Sequence, residues 1–232
     1  MKKNPGFTLV EMAIVLAIAS LILGSGLTLL SAQQDQRRIE DTNALLSDAR
    51  EALIGFALSQ TPPHLPCPDK TNGADSNNGV EDRTPAGACI TQEGNLPWVT
   101  LGLAPQMDAW SNRLRYQVTP AFSNSNPGML LTSAGNIDVK DAAAGNPVAT
   151  AVPAVILSHG MNGSGAINAA GNANPAPPAA NADELANSDG NTTFVSHSLV
   201  REKETGGVFD DQVIWISPNI LFNRMIQAGK LP

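Results

Sequence analysis

From Met12 to Leu30 the chain is an almost unbroken apolar run, relieved only by small or hydroxylated residues. About 19 residues of helix would extend roughly 28 Å, enough to span a bilayer core. Glu11 stands at the start of this run. A carboxylate within a membrane span costs about 2.5–3.5 kcal/mol on insertion scales, so something must compensate it. Past residue 33 the pattern changes. Ile39, Leu46 and Leu53 recur at heptad spacing, with Ala49 and Phe56 on the same stripe. Gln36, Glu40, Asp48, Arg50 and Glu51 take much of the remaining surface. That predicts an amphipathic helix with one face to bury. The repeat is too short to argue for an independent coiled coil. Gln60-Thr61-Pro62-Pro63 ends it.

The rest of the chain lacks long periodic segments. Residues 64–110 read as loops. Short apolar or β-branched runs predict strands at Met129–Thr132, Ala154–Ser158, Thr193–Val200 and Val208–Ile216. The stretch 160–191 is rich in Gly, Ala, Asn and Pro and poor in large apolar residues, which predicts a flexible surface insertion. Ser217-Pro218 supplies an N-cap and a proline for the first helical position. The helix that follows, Asn219 to Ala228, stops at Gly229 and would turn Ile220, Leu221 and Met225 to the core. These elements predict an α+β fold, with a long N-terminal helix whose second half packs on a small antiparallel sheet in a loop-rich head.

Composition narrows the function classes. The 232 residues carry a net charge of −7, with 4% aromatics, 20 glycines and 17 prolines. This suits one modest loop-rich domain attached to a further segment. Nucleic acid is not expected as a partner, because binding it requires a basic face. Two cysteines, Cys67 and Cys89, are present. If the region after residue 33 lies outside the cytoplasm, a disulfide is expected. It would close a loop of about 23 residues and add around 3 kcal/mol in a chain-entropy description.

Three readings compete for the N-terminus. A cleaved secretory signal needs a shorter apolar stretch and a small-residue exit, and Leu30-Ser31-Ala32 places a large leucine at the outer position. A simple membrane anchor has the right length but leaves Glu11 unexplained. The third reading rests on Lys2-Lys3-Asn4-Pro5-Gly6-Phe7-Thr8-Leu9-Val10-Glu11, which resembles the leader and cleavage site of type IV prepilins and type II secretion pseudopilins. The resemblance implies a pilin-like fold and a leader of residues 1–6. A prepilin peptidase would cut between Gly6 and Phe7 and methylate the new amine of Phe7. The half-helix 7–32 would sit in inner-membrane lipid and later in a filament core, and 33–60 would be the amphipathic half. A periplasmic head, 61–232, would follow. Implied partners are other pilin or pseudopilin subunits and an inner-membrane assembly platform. The cleaved Phe7 amine would lie one helical turn from Glu11, on the same face, so it could neutralise the carboxylate within a chain or between neighbours. The charges Arg37 and Arg38 do not decide the topology against Lys2 and Lys3. The midway proline common in pilin helices is absent; Gly24 and Gly26 lie near its place.

Candidate chemistry elsewhere is sparse. The loop DKTNGADSNNGVED offers oxygen ligands at Asp69, Asp75, Asn77, Glu81 and Asp82, without EF-hand spacing. Asp108-Ala109-Trp110-Ser111 is similar to the Asp-x-Trp-Gly stretch of major pseudopilins, with Ser111 where glycine is usual. Ser158-His159-Gly160-Met161-Asn162-Gly163 and Phe209-Asp210-Asp211 are similar to segments that border a calcium loop in that family, with Asn162 in place of an aspartate. Asp210 and Asp211 are therefore the calcium candidates. No catalytic residue is assigned. His64, His159 and His197 lack a nucleophile elbow, a zinc motif or a phosphate loop around them. The expected function is a structural filament subunit. The alternative is a membrane-anchored periplasmic binding module that does not polymerise.

Overall fold

The computed structural model describes residues 8–70, 78–105, 107–204 and 207–231, without the side chains of 21–31 and 201–204. The leader, Gly6 and Phe7 lie outside these residues, as do Asp75 and Asn77. The chain forms two units, residues 1–40 and 41–232.

From Leu9 onward the described part of the first unit is helical. Helix α1 runs Leu9–Ser59 and so continues into the second unit. Among the described residues no helix is long and apolar enough to cross a membrane; the predicted span extends into residues 21–31, whose side chains are outside the description. On the polar surface, Gln36 donates to Glu40 at 2.9 Å, a one-turn pair.

The second unit is built on the remainder of α1. Thr42, Leu46, Ala49, Leu53 and Ala57 recur at three- and four-residue steps and are buried. The predicted stripe is present at Leu46, Ala49 and Leu53, whereas Phe56 is half-buried with its ring edge-on to His64 at 5.9 Å. A four-stranded antiparallel sheet faces this helix in the order β1 (Glu93–Asn95), β2 (Arg115–Val118), β5 (Ala154–Ser158), β9 (Gln212–Ile216). Side chains alternate across it. Tyr116, Val118, Ala154, Ile156 and Ile216 join Leu46, Leu53 and Ile54 in one core. Val155, Leu157 and Val213 face the other way, onto a second core.

That second core lies under a three-stranded sheet, β4 (Pro147–Val152), β3 (Ile137–Lys140), β6 (Thr193–Val195). Strands β3 and β6 are parallel, which requires the long crossover between them. A hairpin, β7 (Val200–Glu204) and β8 (Gly207–Phe209), precedes β9. Short helices α2 (Pro120–Ser123) and α3 (Ala182–Ala186) and the C-terminal α4 (Pro218–Gln227) complete the unit. Lys230 Nζ donates to the carbonyl of Gln60 at 3.0 Å, tying the C-terminus to the end of α1. Cys67 and Cys89 form a disulfide.

Several sequence expectations are corrected. Residues 129–132 form no strand; the strand lies downstream at β3. The runs 193–200 and 208–216 each divide in two. Asp210 and Asp211 interrupt the second; the Asp210 N–H donates to Glu184 Oε1 at 3.2 Å instead of to a strand partner. Ile220 is 53% exposed, while Leu221 and Met225 are fully buried. The insertion 160–191 buries polar anchors beside small apolar ones: Glu184 and Asn187 are inside with Ala166, and α3 forms between its turns. Hydrophobicity alone missed these contacts.

Candidate functional site

At the N-terminus the residues Thr8-Leu9-Val10-Glu11 start helix α1. The backbone N–H and the hydroxyl of Thr8 both donate to Glu11 Oε2 at 2.8 Å. In return Glu11 N donates to Thr8 Oγ1 at 3.3 Å. This is the reciprocal capping box, in which a threonine and a glutamate three positions on satisfy donors that the first helical turn leaves open. The signal S/T-x-x-E was present in the sequence. It gives Glu11 a first partner within its own chain, beside the Phe7 amine expected after cleavage.

Residues 1–29 match the family model described as the prokaryotic N-terminal methylation motif. The chain carries the type IV pilin and pseudopilin signature. Neither a curated protein nor a solved structure matches it. The matched residues take in Gly6, Phe7 and Glu11, and the motif supports a pilin-like precursor.

A second polar site lies in the head, at the end of the antiparallel sheet where β5 stops and β9 begins. Asp210 and Asp211 precede β9, and Glu184 reaches them from α3. Carboxylate oxygens of the three residues lie within 4.8 Å of one another, and all three residues are buried. Amides organise the cluster. Asn162 N donates to Asp210 Oδ2 at 2.8 Å, and Asn162 Nδ2 to Glu184 Oε1 at 2.7 Å. Asn187 Nδ2 donates to Asp211 Oδ2 at 2.8 Å. Gly160 has φ 59°, and a Cβ there would stand 2.1 Å from the Asp210 carbonyl oxygen. Only glycine lets that turn pass so close.

The cluster is incompletely satisfied. Asp210 Oδ1 and Asp211 Oδ1 are buried with no hydrogen-bond partner among the described residues. His159 Nδ1 is 3.6 Å from Asp211 Oδ1, too far for a hydrogen bond. Burial pushes the Asp210 carboxyl up to about 7; the bond from Asn162 N opposes this, and the charges of Glu184 and Asp211 add to it. Converging oxygens with open lone pairs fit a hard cation such as calcium. Glu184, Asp210 and Asp211 would hold it. Sequence reasoning named the two aspartates and missed Glu184, although Asp183-Glu184 are acidic residues in an otherwise nearly uncharged segment. Asn162 donates to Glu184, where an aspartate would have added a fourth carboxylate.

The other candidates are occupied. Asp69 Oδ2 accepts from Gly79 N, Asp82 Oδ2 from Lys70 N, and Glu81 Oε2 from Cys67 N and Arg83, each at 2.8 Å. These bonds brace the loop around the disulfide. Ser158 Oγ donates to Asp108 Oδ2 at 2.6 Å rather than to His159. Asp108 Oδ1 also accepts from Trp110 N and Asn112 N. Ser111, inside this turn, has φ 66°, the left-handed conformation that explains a preference for glycine. His197 stacks on Phe209 at 3.9 Å and meets Asp183 at 3.2 Å, while His64 Nδ1 lies 2.8 Å from the Pro62 carbonyl. None of the three histidines is hydrogen-bonded to a serine hydroxyl among the described residues.

Proposed function

We propose that this chain is the precursor of a filament subunit of a type IV pilus or a type II secretion pseudopilus. A prepilin peptidase cuts between Gly6 and Phe7, and the new Phe7 amine is methylated. The subunit is held by a single pass in the inner membrane, head in the periplasm, until an assembly platform moves it into the filament. The observation that carries this reading is the methylation motif over residues 1–29.

The chemistry supports it. Cleavage creates a cation one helical turn from Glu11, and methylation keeps the positive charge. In a packed apolar bundle that pair is desolvated, and removing one partner from such a pair costs about 3–5 kcal/mol. Glu11 then fixes register, because the carboxylate is tolerated only where an amine meets it. The head supplies the surface of the filament, and calcium held by Glu184, Asp210 and Asp211 pins the insertion 160–191 to the start of β9.

The test is filament formation in cells that carry a complete assembly machinery, using the chain with a tag after residue 232. The wild type is expected in sheared filaments. Glu11→Ala is expected to remain membrane-bound with a folded head and to be missing from them. A wild-type chain that never enters filaments would instead favour an unpolymerised binding module.

A further inference from the structure

The head's sheet edges are treated unequally. Along β1, Asn95 exchanges backbone hydrogen bonds with Asp69, N to O at 2.7 and 3.0 Å. Along β6, the Asn187 side chain takes the N–H of Val195 at 2.7 Å and donates to its carbonyl at 3.1 Å. Strand β9 pairs with β5 on one side. On its other side, no described residue supplies a hydrogen-bond partner.

A groove of about 580 Å³ runs along that free edge. One wall carries Ile54 of α1 and Ile220 of α4; the other carries Val213 and Trp215. These apolar side chains sit among Ser196, Ser217 and the charged Arg50, Glu51 and Arg224, and the strand itself, Gln212-Val213-Ile214-Trp215-Ile216, has neither a charge nor a proline. Proteins normally blunt an exposed edge with such residues, because unpaired N–H and C=O groups template further pairing. The rim is cationic. Arg224 and Arg50 share the single carboxylate of Glu51, at 3.3 and 3.9 Å, which leaves one positive charge in excess.

We propose that the free edge of β9 is a β-strand addition site for an extended segment of another protein, apolar on both faces and carrying an acidic residue. Main-chain hydrogen bonds to β9 supply affinity. The incoming side chains alternate between the Ile54–Ile220 wall and the Val213–Trp215 wall. The acidic residue takes the surplus charge of the Arg50–Glu51–Arg224 rim. This site uses the second half of α1, within the unit 41–232, and does not depend on cleavage at Gly6.

The test uses the full chain in detergent micelles and a fluorescein-labelled hexapeptide, EVTVIV, followed by fluorescence anisotropy. Saturable binding is expected. Ile220→Asp and Arg224→Glu each weaken it by about tenfold or more. Both positions are solvent-exposed, and unchanged thermal unfolding confirms that the variants are folded. A peptide N-methylated at alternate amides keeps its side chains but loses the edge donors, and it is expected not to bind. The proposal is overturned if the unmodified peptide fails to bind at about 1 mM. Equal binding of the N-methylated peptide also overturns it, since the groove would then take apolar groups without strand pairing. So does a concentration-dependent dimer of the chain that Ile220→Asp abolishes, which would assign the face to a second copy.

Discussion

Thr8 and Glu11 hold each other at the first turn of helix α1, through two bonds of 2.8 Å to one carboxylate oxygen and a return bond of 3.3 Å. Glu11 therefore has two separable tasks. It caps its own helix, and in the proposed filament its charge meets a Phe7 amine. Glutamine in a capping box retains the first task and lacks the second. Glu11→Gln is expected to leave membrane association and head folding unchanged while abolishing filament entry, as Glu11→Ala does. Quantifying sheared filaments decides the matter: wild-type yields from Glu11→Gln would leave only the cap.

The acidic cluster gives a pH dependence of defined sign. The Asp210 carboxyl stands at about 7 in the folded chain against an ordinary 3.8, chiefly through burial. Between those values the folded state retains a proton that the unfolded state has lost. This stability is fully present below about pH 4 and is lost as pH rises towards about 7. Thermal unfolding in EDTA is expected to show that decline, and Asp210→Asn to flatten it. Calcium added at about pH 7.5 is expected to raise Tm in the wild type and not in Glu184→Gln. A calcium-insensitive Tm would mean that the cluster holds no ion.

Ser111 occupies the left-handed region at φ 66° without a glycine's freedom. That conformation costs a residue with a Cβ roughly 1–2 kcal/mol. Glycine loses more chain entropy on folding, which offsets part of the gain. Ser111→Gly is thus expected to stabilise the head by about 0.5–1 kcal/mol in chemical denaturation. A destabilised variant would mean that the serine side chain contributes more than the backbone strain removes.

The disulfide closes a span of 22 residues around the braced loop of Asp69, Glu81 and Asp82. Replacing Cys67 and Cys89 together by serine is expected to cost about 2–5 kcal/mol. Denaturant midpoints of the oxidised and double-serine chains measure it directly. Equal midpoints would show that the loop's hydrogen bonds suffice.

Periodicity made the second half of α1 legible, because Leu46, Ala49 and Leu53 repeat on one face and are buried there. Strand β5 was legible as a short run buried on both sides. Strand β4 was not, since most of its side chains are exposed or half-exposed and small, and nothing in Pro147–Val152 alternates strongly. Helix α3 was hidden for a different reason. Its anchors, Glu184 and Asn187, are polar, and a hydrophobicity pattern cannot reveal residues buried by hydrogen bonds. Of the acidic site, Asp210 and Asp211 were legible through family resemblance, while Glu184 needed the fold. The capping box at Thr8 is legible in the Thr8-x-x-Glu11 spacing.

The most direct measurement is the intact mass and N-terminal sequence of the membrane-bound chain, isolated from cells with an active prepilin peptidase. The expected species lacks residues 1–6 and begins at an N-methylated Phe7. Recovery of the chain with Met1 to Gly6 still attached, or cut near residue 32, would contradict a filament subunit whose Glu11 is neutralised by the Phe7 amine.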